Sequence, residues 1–536
     1  MAIERWNPGE DLTRQEQMLL KRLDRVRKLL GFLRLHRREL FDEPFQVELE
    51  GMYRDSGAGK AAVPPALMAM ATLVQAYLGV SDAEMVELTV VDLRVQMVLD
   101  RLGAADPAFS QGALCDFRER LIRTDMDRRL LERTVELARR TGGFDPRKLP
   151  RSLRLAVDSS PFEGAGRVED TFNLLGHAAR KVVACAARIL RWRPTTVAER
   201  AGAEVLLMPS IKAALDVDWS SAAEKDRALG TLIGQLDKLE RWLEGHIPGA
   251  AQPTLAPHLE TLRRIRAQDV ESGRRKGVVR IRDGVAPDRQ VSIEDAEMRH
   301  GRKSVSYTFS GYKRHLATDL DTGLILAAAV TPANQPEREA LPLLRDDLDA
   351  QRVYVGALFI DRGYIASDVV DEVLRGGGEV ICRPWQNPNR GLFTKADFEL
   401  DMRARTITCP NGKTRPFQIG KTVAFEPADC DRCALRSRCT TAVRGTSRAV
   451  RIADDEQLQH RLRKLAATPS GRARLRERVP VEHRLAHIAS RQGSRARYRG
   501  VRKNTYDLRR ASALQNLEAA HRSATASAFK ALARAA

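Results

Sequence analysis

The chain has 536 residues, 43% of them hydrophobic and 30% charged, with a formal net charge of +20. That length exceeds one simple core, so two to four domains are expected. No apolar run approaches the roughly 18 residues of a membrane span, and the opening MAIERWNPGEDLTRQEQ lacks the apolar core of a secretory signal, so a cytoplasmic protein without a membrane partner, at the nucleoid if it binds DNA, is expected.

The positive excess implies a polyanionic partner, most simply nucleic acid. Half of it lies in residues 471–510, where thirteen Arg or Lys stand against three acids, a net +10. So dense a block reads as a phosphate-binding surface. Seven cysteines, an odd count in a chain without a signal, argue against a disulfide framework.

Residues 12–45 carry helical periodicity in Leu19, Leu20, Leu23, Leu29, Leu30 and Leu33. A second helical run, ALMAMATLVQAYLG, starts after Val63-Pro64-Pro65 and ends at Gly79. Ser81, with Glu84 three residues on, predicts a capped helix over SDAEMVELTVVDLRVQMVL. FSQGALCDFRERL and MDRRLLERTVELARRTG continue the pattern. Residues 1–145 are thus expected to form an all-helical domain for DNA binding or dimerisation; a helix-turn-helix unit and a plain bundle fit equally. Gly57-Ala58-Gly59-Lys60 is read as a flexible loop, because Arg54 and Ala61 stand where a phosphate loop needs Gly and Ser or Thr.

Two short aliphatic runs, at 153–157 and 355–360, end in Asp158 and Asp361. Such runs read as buried strands, and open sheets place their ligands at the carboxyl ends of strands. Between them, 170–290 is expected to be a largely helical insert. The runs in SVSYTFSGYKRHLATDLDTGLILAAAVTPAN are predicted as two strands joined at Asp321-Thr322-Gly323. A helix over 337–348, the strand before Asp361, a helix over 366–375 and the strand EVICRP complete a mixed α/β core over 150–384. The order is compatible with a ribonuclease-H-like fold, three antiparallel strands followed by parallel ones. Residues 385–450 form a Cys-rich insertion, 455–520 a basic helical end of the core, and 521–536 a tail that reads as a weak helix.

Two-metal phosphoryl transfer needs carboxylates converging from different elements, and hard cations such as Mg²⁺ take oxygen ligands. Asp158 and Asp361 supply two. Glu482, in RERVPVEHRLAHIAS, is the third candidate. Val481, Leu485 and Ile488 make an apolar stripe on its helix, and Pro480 suits the first helical position, so Glu482 falls in the first turn, where the helix dipole favours an ionised carboxylate. Asp319 and Asp321 read as turn formers.

The chain resembles the bacterial insertion-sequence transposases of the DDE class, specifically the insertion-sequence eleven-eighty-two group. The resemblance rests on VPPALMAMATLVQAYLGVSDAEMVE, LAVDSSPFEGAGRVEDTFNLL, DAEMRHGRKS, FSGYKRHLATDLDTGLILAAAVTPANQPE, FIDRGY and RVPVEHRLAHIASRQGSRARYRGVRKNTYDLRRASALQNL, and covers roughly residues 40–518. It implies a ribonuclease-H-like catalytic core, an acid triad at Asp158, Asp361 and Glu482, Mg²⁺ or Mn²⁺, and cutting and joining of element ends. The wider superfamily places Tyr, Arg and Lys at −7, −4 and +7 from the glutamate; here these positions hold Leu475, Arg478 and Ala489, so only the arginine is kept.

Cys409, Cys430, Cys433 and Cys439 have the knuckle-like spacing of a structural Zn²⁺ site, with free thiols as the alternative. Residues 385–450 look poor in other core residues, which gives a metal staple a purpose. The DNA contacts expected are Arg302, Lys303, Lys313 and Arg314 beside the sheet, and Arg478, Arg491, Arg495, Arg497, Arg499, Arg502 and Lys503 in the basic block. The sequence reading is therefore a Mg²⁺-dependent DDE transposase acting on double-stranded DNA, terminal inverted repeats and target alike, as a homodimer or higher oligomer. The alternatives are a metal-dependent nuclease or resolvase of the same fold, and a catalytically silent, domesticated DNA-binding regulator.

Overall fold

The computed structural model describes residues 4–23, 27–53, 62–141, 153–273, 277–386 and 389–535; the 57–60 loop expectation lies outside them. The N-terminal region is helical throughout, from Arg14–Leu23 to Met126–Thr141. Its central helix, Pro65–Leu78, is buried on all sides along its first three turns and ends at Gly79, which takes the left-handed conformation (φ 77°) that glycine adopts without strain. Ser81 accepts from Glu84 N at 3.2 Å, as the capping signal suggested. The long helix expected beyond it is broken at Asp92. That residue is extended, and its carboxylate accepts from Arg94 N and Val95 N to start a second helix, Leu93–Val98. A mid-run aspartate thus acts as a cap rather than a helix interior residue.

The central sheet contains β1 (Leu153–Glu163), β2 (Arg299–Arg302), β3 (Thr308–Asp319), β4 (Ile325–Pro332), β5 (Val355–Phe359) and β6 (Glu379–Ile381). β3 pairs antiparallel with β1 on one side, and with β4 and β2 on the other. β1, β5 and β6 run parallel. The β3–β4 turn is held by Asp319, whose carboxylate accepts from Asp321 N and Thr322 N, while Gly323 takes φ 70°. Asp321 pairs with Arg154, so both aspartates have structural partners.

One hydrophobic core runs through the N-terminal helices, the sheet, α1 (Val479–Gln492) and α2 (Val501–Ala535). The helical insert between β1 and β2 has its own core, built mainly on Thr171–Leu190, Ala222–His246 and Gln252–Asp269. A small ribbon, Val270–Ser272 with Val279–Ile281, follows the last of these helices. The Cys-rich region is better packed than its sequence suggested. Phe398, Leu400, Ile407, Phe417, Val423, Phe425, Val450 and Ile452 form a third buried cluster between a three-stranded and a two-stranded sheet. The expectation of a core-poor insertion is corrected: its apolar residues are spread singly along short strands, so no run in the sequence revealed them. Among the described residues no single helix is long and apolar enough to cross a membrane.

Candidate catalytic centre

The parallel register pairs Ala156 of β1 with Phe359 of β5. Two residues beyond that last pair stand Asp158, still on β1, and Asp361, just past the end of β5. Asp158 is largely buried, and its Oδ1 accepts from Ser159 N at 2.9 Å. Asp361 is exposed and caps the short turn Arg362–Tyr364, with Oδ1 accepting from Arg362 N at 2.7 Å.

Glu482 comes to the same place on α1. The stripe Val481, Leu485 and Ile488 is buried, which seats this helix, and Glu482 lies in its first turn. Arg478 joins the elements: Nη1 is 2.8 Å from Asp158 Oδ2, and Nη2 donates to Glu482 Oε1 at 2.9 Å. Burial lifts the Asp158 carboxyl above its ordinary value; Arg478 opposes the lift and Glu482 adds to it. Asp158 and Glu482 are thus bridged by a guanidinium, with Asp361 just past the end of the adjoining strand. Among the described residues no three His, Cys, Asp or Glu side chains are close enough together to hold a metal ion. The donor set is nevertheless all oxygen, carried on a sheet and a helix that converge, which is the chemistry Mg²⁺ or Mn²⁺ selects.

Several neighbours were not singled out in the sequence. Glu337, in a short turn after β4, accepts from Ser159 Oγ at 2.6 Å. Tyr364, three residues after Asp361, is fully buried, and its hydroxyl is 2.8 Å from His315 Nδ1. His315 Nε2 is in turn 2.9 Å from Thr331 Oγ1. Complete burial lowers the His315 imidazole to about 3, so it is neutral. The aspartate of FIDRGY stood out because it closes an aliphatic run; its tyrosine carried no such signal, and Glu337 read as the start of a helix.

The basic residues divide sharply. Arg314 is 2% exposed, lies 4.8 Å over the Phe162 ring and donates to Gly493 O and Pro161 O, and burial lowers it to about 10. It braces β1 against the end of α1 and is not available to DNA, which corrects the sequence expectation. Lys313 donates to Gln335 O. Arg495 donates to Gly164 O and Ala165 O. Arg491, Arg499 and Lys503 pair with Glu518, Glu294 and Glu119, and Arg502 with Asp125 and Asp127. Arg302, Lys303 and Arg497 are exposed and have no acidic partner among the described residues.

Cys409, Cys430, Cys433 and Cys439 line one cavity of about 30 Å³. Burial and the three neighbouring thiols raise the Cys439 thiol. All four are free thiols.

Residues 279–517 match the family model described as Transposase DDE domain, and residues 21–120 match the one described as Transposase domain (DUF772). Both matches support a DDE-type transposase of the bacterial insertion-sequence kind. The first match spans Asp361 and Glu482 and begins after Asp158 and most of the helical insert. No curated protein and no solved structure matches the chain.

Proposed function

We propose that this chain cleaves and joins DNA phosphodiesters at the ends of an insertion sequence of the eleven-eighty-two group, with Asp158, Asp361 and Glu482 as its catalytic acids on a ribonuclease-H-like core. The observation that carries the reading is the β1–β5 register, which ends two residues before each aspartate, together with Glu482 tied to Asp158 through Arg478. The strand order, three antiparallel strands followed by two parallel ones, supports the fold assignment.

The three carboxylates are the residues that would hold Mg²⁺ or Mn²⁺. When bound, such ions supply an activated water or 3′-hydroxyl and charge stabilisation at the leaving oxygen. The protein's own part is positional. Ser159 N fixes one oxygen of Asp158, Arg478 draws α1 toward β1, and the buried stripe of α1 holds Glu482 at the sheet edge. Of the predicted contacts, Arg302, Lys303 and Arg497 are exposed without an acidic partner among the described residues, and suit double-stranded DNA of the terminal repeats or target. Bringing two element ends together calls for at least a homodimer.

The test is cleavage and strand joining on terminal-repeat DNA with Mg²⁺. Asp158→Asn, Asp361→Asn and Glu482→Gln should each lower cleavage about 10³-fold or more. Variants that cut as well as the parent would refute the acid assignment. Cutting without joining would instead mark a nuclease or resolvase, and no cutting by the parent a silent DNA-binding regulator.

The four thiols line one small cavity of the Cys-rich insertion, and a structural Zn²⁺ there would have to draw them closer together to ligate it. Elemental analysis of purified protein should find one zinc per chain, lost in Cys433→Ser; a zinc-free, folded parent protein would refute it.

A further inference from the structure

Glu337 touches both acid-bearing elements without belonging to either. Its Oε1 accepts from the hydroxyl of Ser159, the residue after Asp158, at 2.6 Å. Its Oε2 lies against Gly363, two residues after Asp361; a methyl group on Gly363 would stand 2.1 Å from that oxygen. A side chain there would push the carboxylate aside. Behind it runs a buried chain of hydrogen bonds. Tyr364, next to Gly363, meets His315 on β3, and His315 meets Thr331 on β4, the strand that leads into Glu337. These contacts tie β3, β4 and the turn after β5 to Glu337, and Glu337 to β1.

Successive side chains on a strand point to opposite faces. Asp158 turns toward Arg478 and Glu482, so Ser159 turns to the other face, where Glu337 waits. Glu337 therefore acts from behind β1 rather than beside the Asp158 carboxylate. We propose that Glu337 is a positioning residue, which clamps the turn bearing Asp361 against the strand bearing Asp158 and so sets the separation of the two acids. This rests on the reading of those aspartates as catalytic. A carboxylate suits the task because it only accepts hydrogen bonds, which forces the Ser159 hydroxyl to donate toward it.

The experiment is Mg²⁺ titration of terminal-repeat cleavage, with thermal unfolding measured alongside. Glu337→Ala should raise the Mg²⁺ needed for half-maximal cutting and lower the maximal rate, together about 10-fold, as loss of a residue supporting metal ligands commonly does. Glu337→Gln, whose amide oxygen can accept the same bond, should recover most of the loss. Gly363→Ala should mimic Glu337→Ala, and the double variant should be no worse than either single change. A folded Glu337→Ala with an unchanged Mg²⁺ titration overturns the proposal. So does Glu337→Gln as defective as Glu337→Ala, since charge rather than the bond would then matter. If Glu337→Ala does not fold, the titration of Ser159→Ala decides in the same way. Active Asp158→Asn would sink the catalytic reading itself; inactive Asp158→Asn beside an unaffected Glu337→Ala would sink this inference alone.

Discussion

Two of the clusters where arginine meets carboxylate make a comparison: Asp158, Arg478 and Glu482, and the place where Asp125, Asp127 and Asp347 receive Arg502 and Arg509. In the second cluster Asp127 and Asp347 are each 2% exposed, and Arg509 is 10%. Asp347 uses both oxygens, taking Arg509 on one and Ala328 N on the other. That cluster joins the N-terminal helices, the helix Ala340–Ala350 and α2; Asp127, Asp347 and Arg509 are sealed inside it, while Asp125 and Arg502 at its rim are 45% and 38% exposed. In the first, Glu482 is 50% exposed and Asp361 next door faces solvent. The same pair of chemical groups thus serves as mortar where it is sealed, and stands open to a ligand where it is reachable, as the proposed reaction centre requires. What separates the two is solvent access and position at strand ends, not residue type.

The contrast can be broken by exchanging the expected effects. Asp361→Asn should cost the largest factor, about 10³-fold or more in end cleavage, with the unfolding midpoint little changed because the side chain is exposed. A variant that loses stability while still cutting would place Asp361 with the sealed cluster. Arg509→Ala should do the reverse. It leaves buried Asp347 without its cation, while Asp127 keeps Arg502, and breaking such a buried pair costs about 3–5 kcal/mol, measurable by urea denaturation. A neutral result would mean that the second cluster holds nothing together.

The smallest effect sharpens the comparison through pH. Burial holds the Asp158 carboxyl above its ordinary value in the folded protein. In metal-free buffer the folded state therefore binds more protons than the unfolded chain. Stability falls as pH rises from the ordinary carboxylate range through the raised folded value, and the Asp158 contribution is largest below that range. Asp158→Asn removes this fall, so the variant should gain stability relative to the parent as pH rises from the ordinary carboxylate range through the raised folded value. Urea midpoints that run parallel for the two proteins would show that Asp158 is not desolvated in solution.

The strands and two of the acids were legible because an aliphatic run closed by an aspartate is a local signal, and Glu482 because its apolar stripe had to pack on something. The basic block was legible only as charge. Its partners Glu119, Asp125, Asp127 and Glu294 lie far away in the chain, so no local reading could tell a paired arginine from a free one. Arg314 shows the limit most plainly. Within YKRH it looks like a phosphate contact, yet it is aimed inward over Phe162. Glu337 was hidden for a related reason: its partners Ser159 and Gly363 belong to two other segments, and only the folded sheet brings them to it.

The order in which the ribosome delivers these parts has a consequence. Asp158 and Asp361 emerge well before Arg478 and Glu482, and α2, which completes the core around the N-terminal helices, comes last. A chain stopped anywhere between residues 361 and 478 carries both aspartates but neither the guanidinium that bridges to the helix nor the glutamate on it. Premature termination in that stretch therefore yields no fragment with the three proposed acids together, whereas loss of residues beyond Ala520, the last buried core position of α2, would spare them.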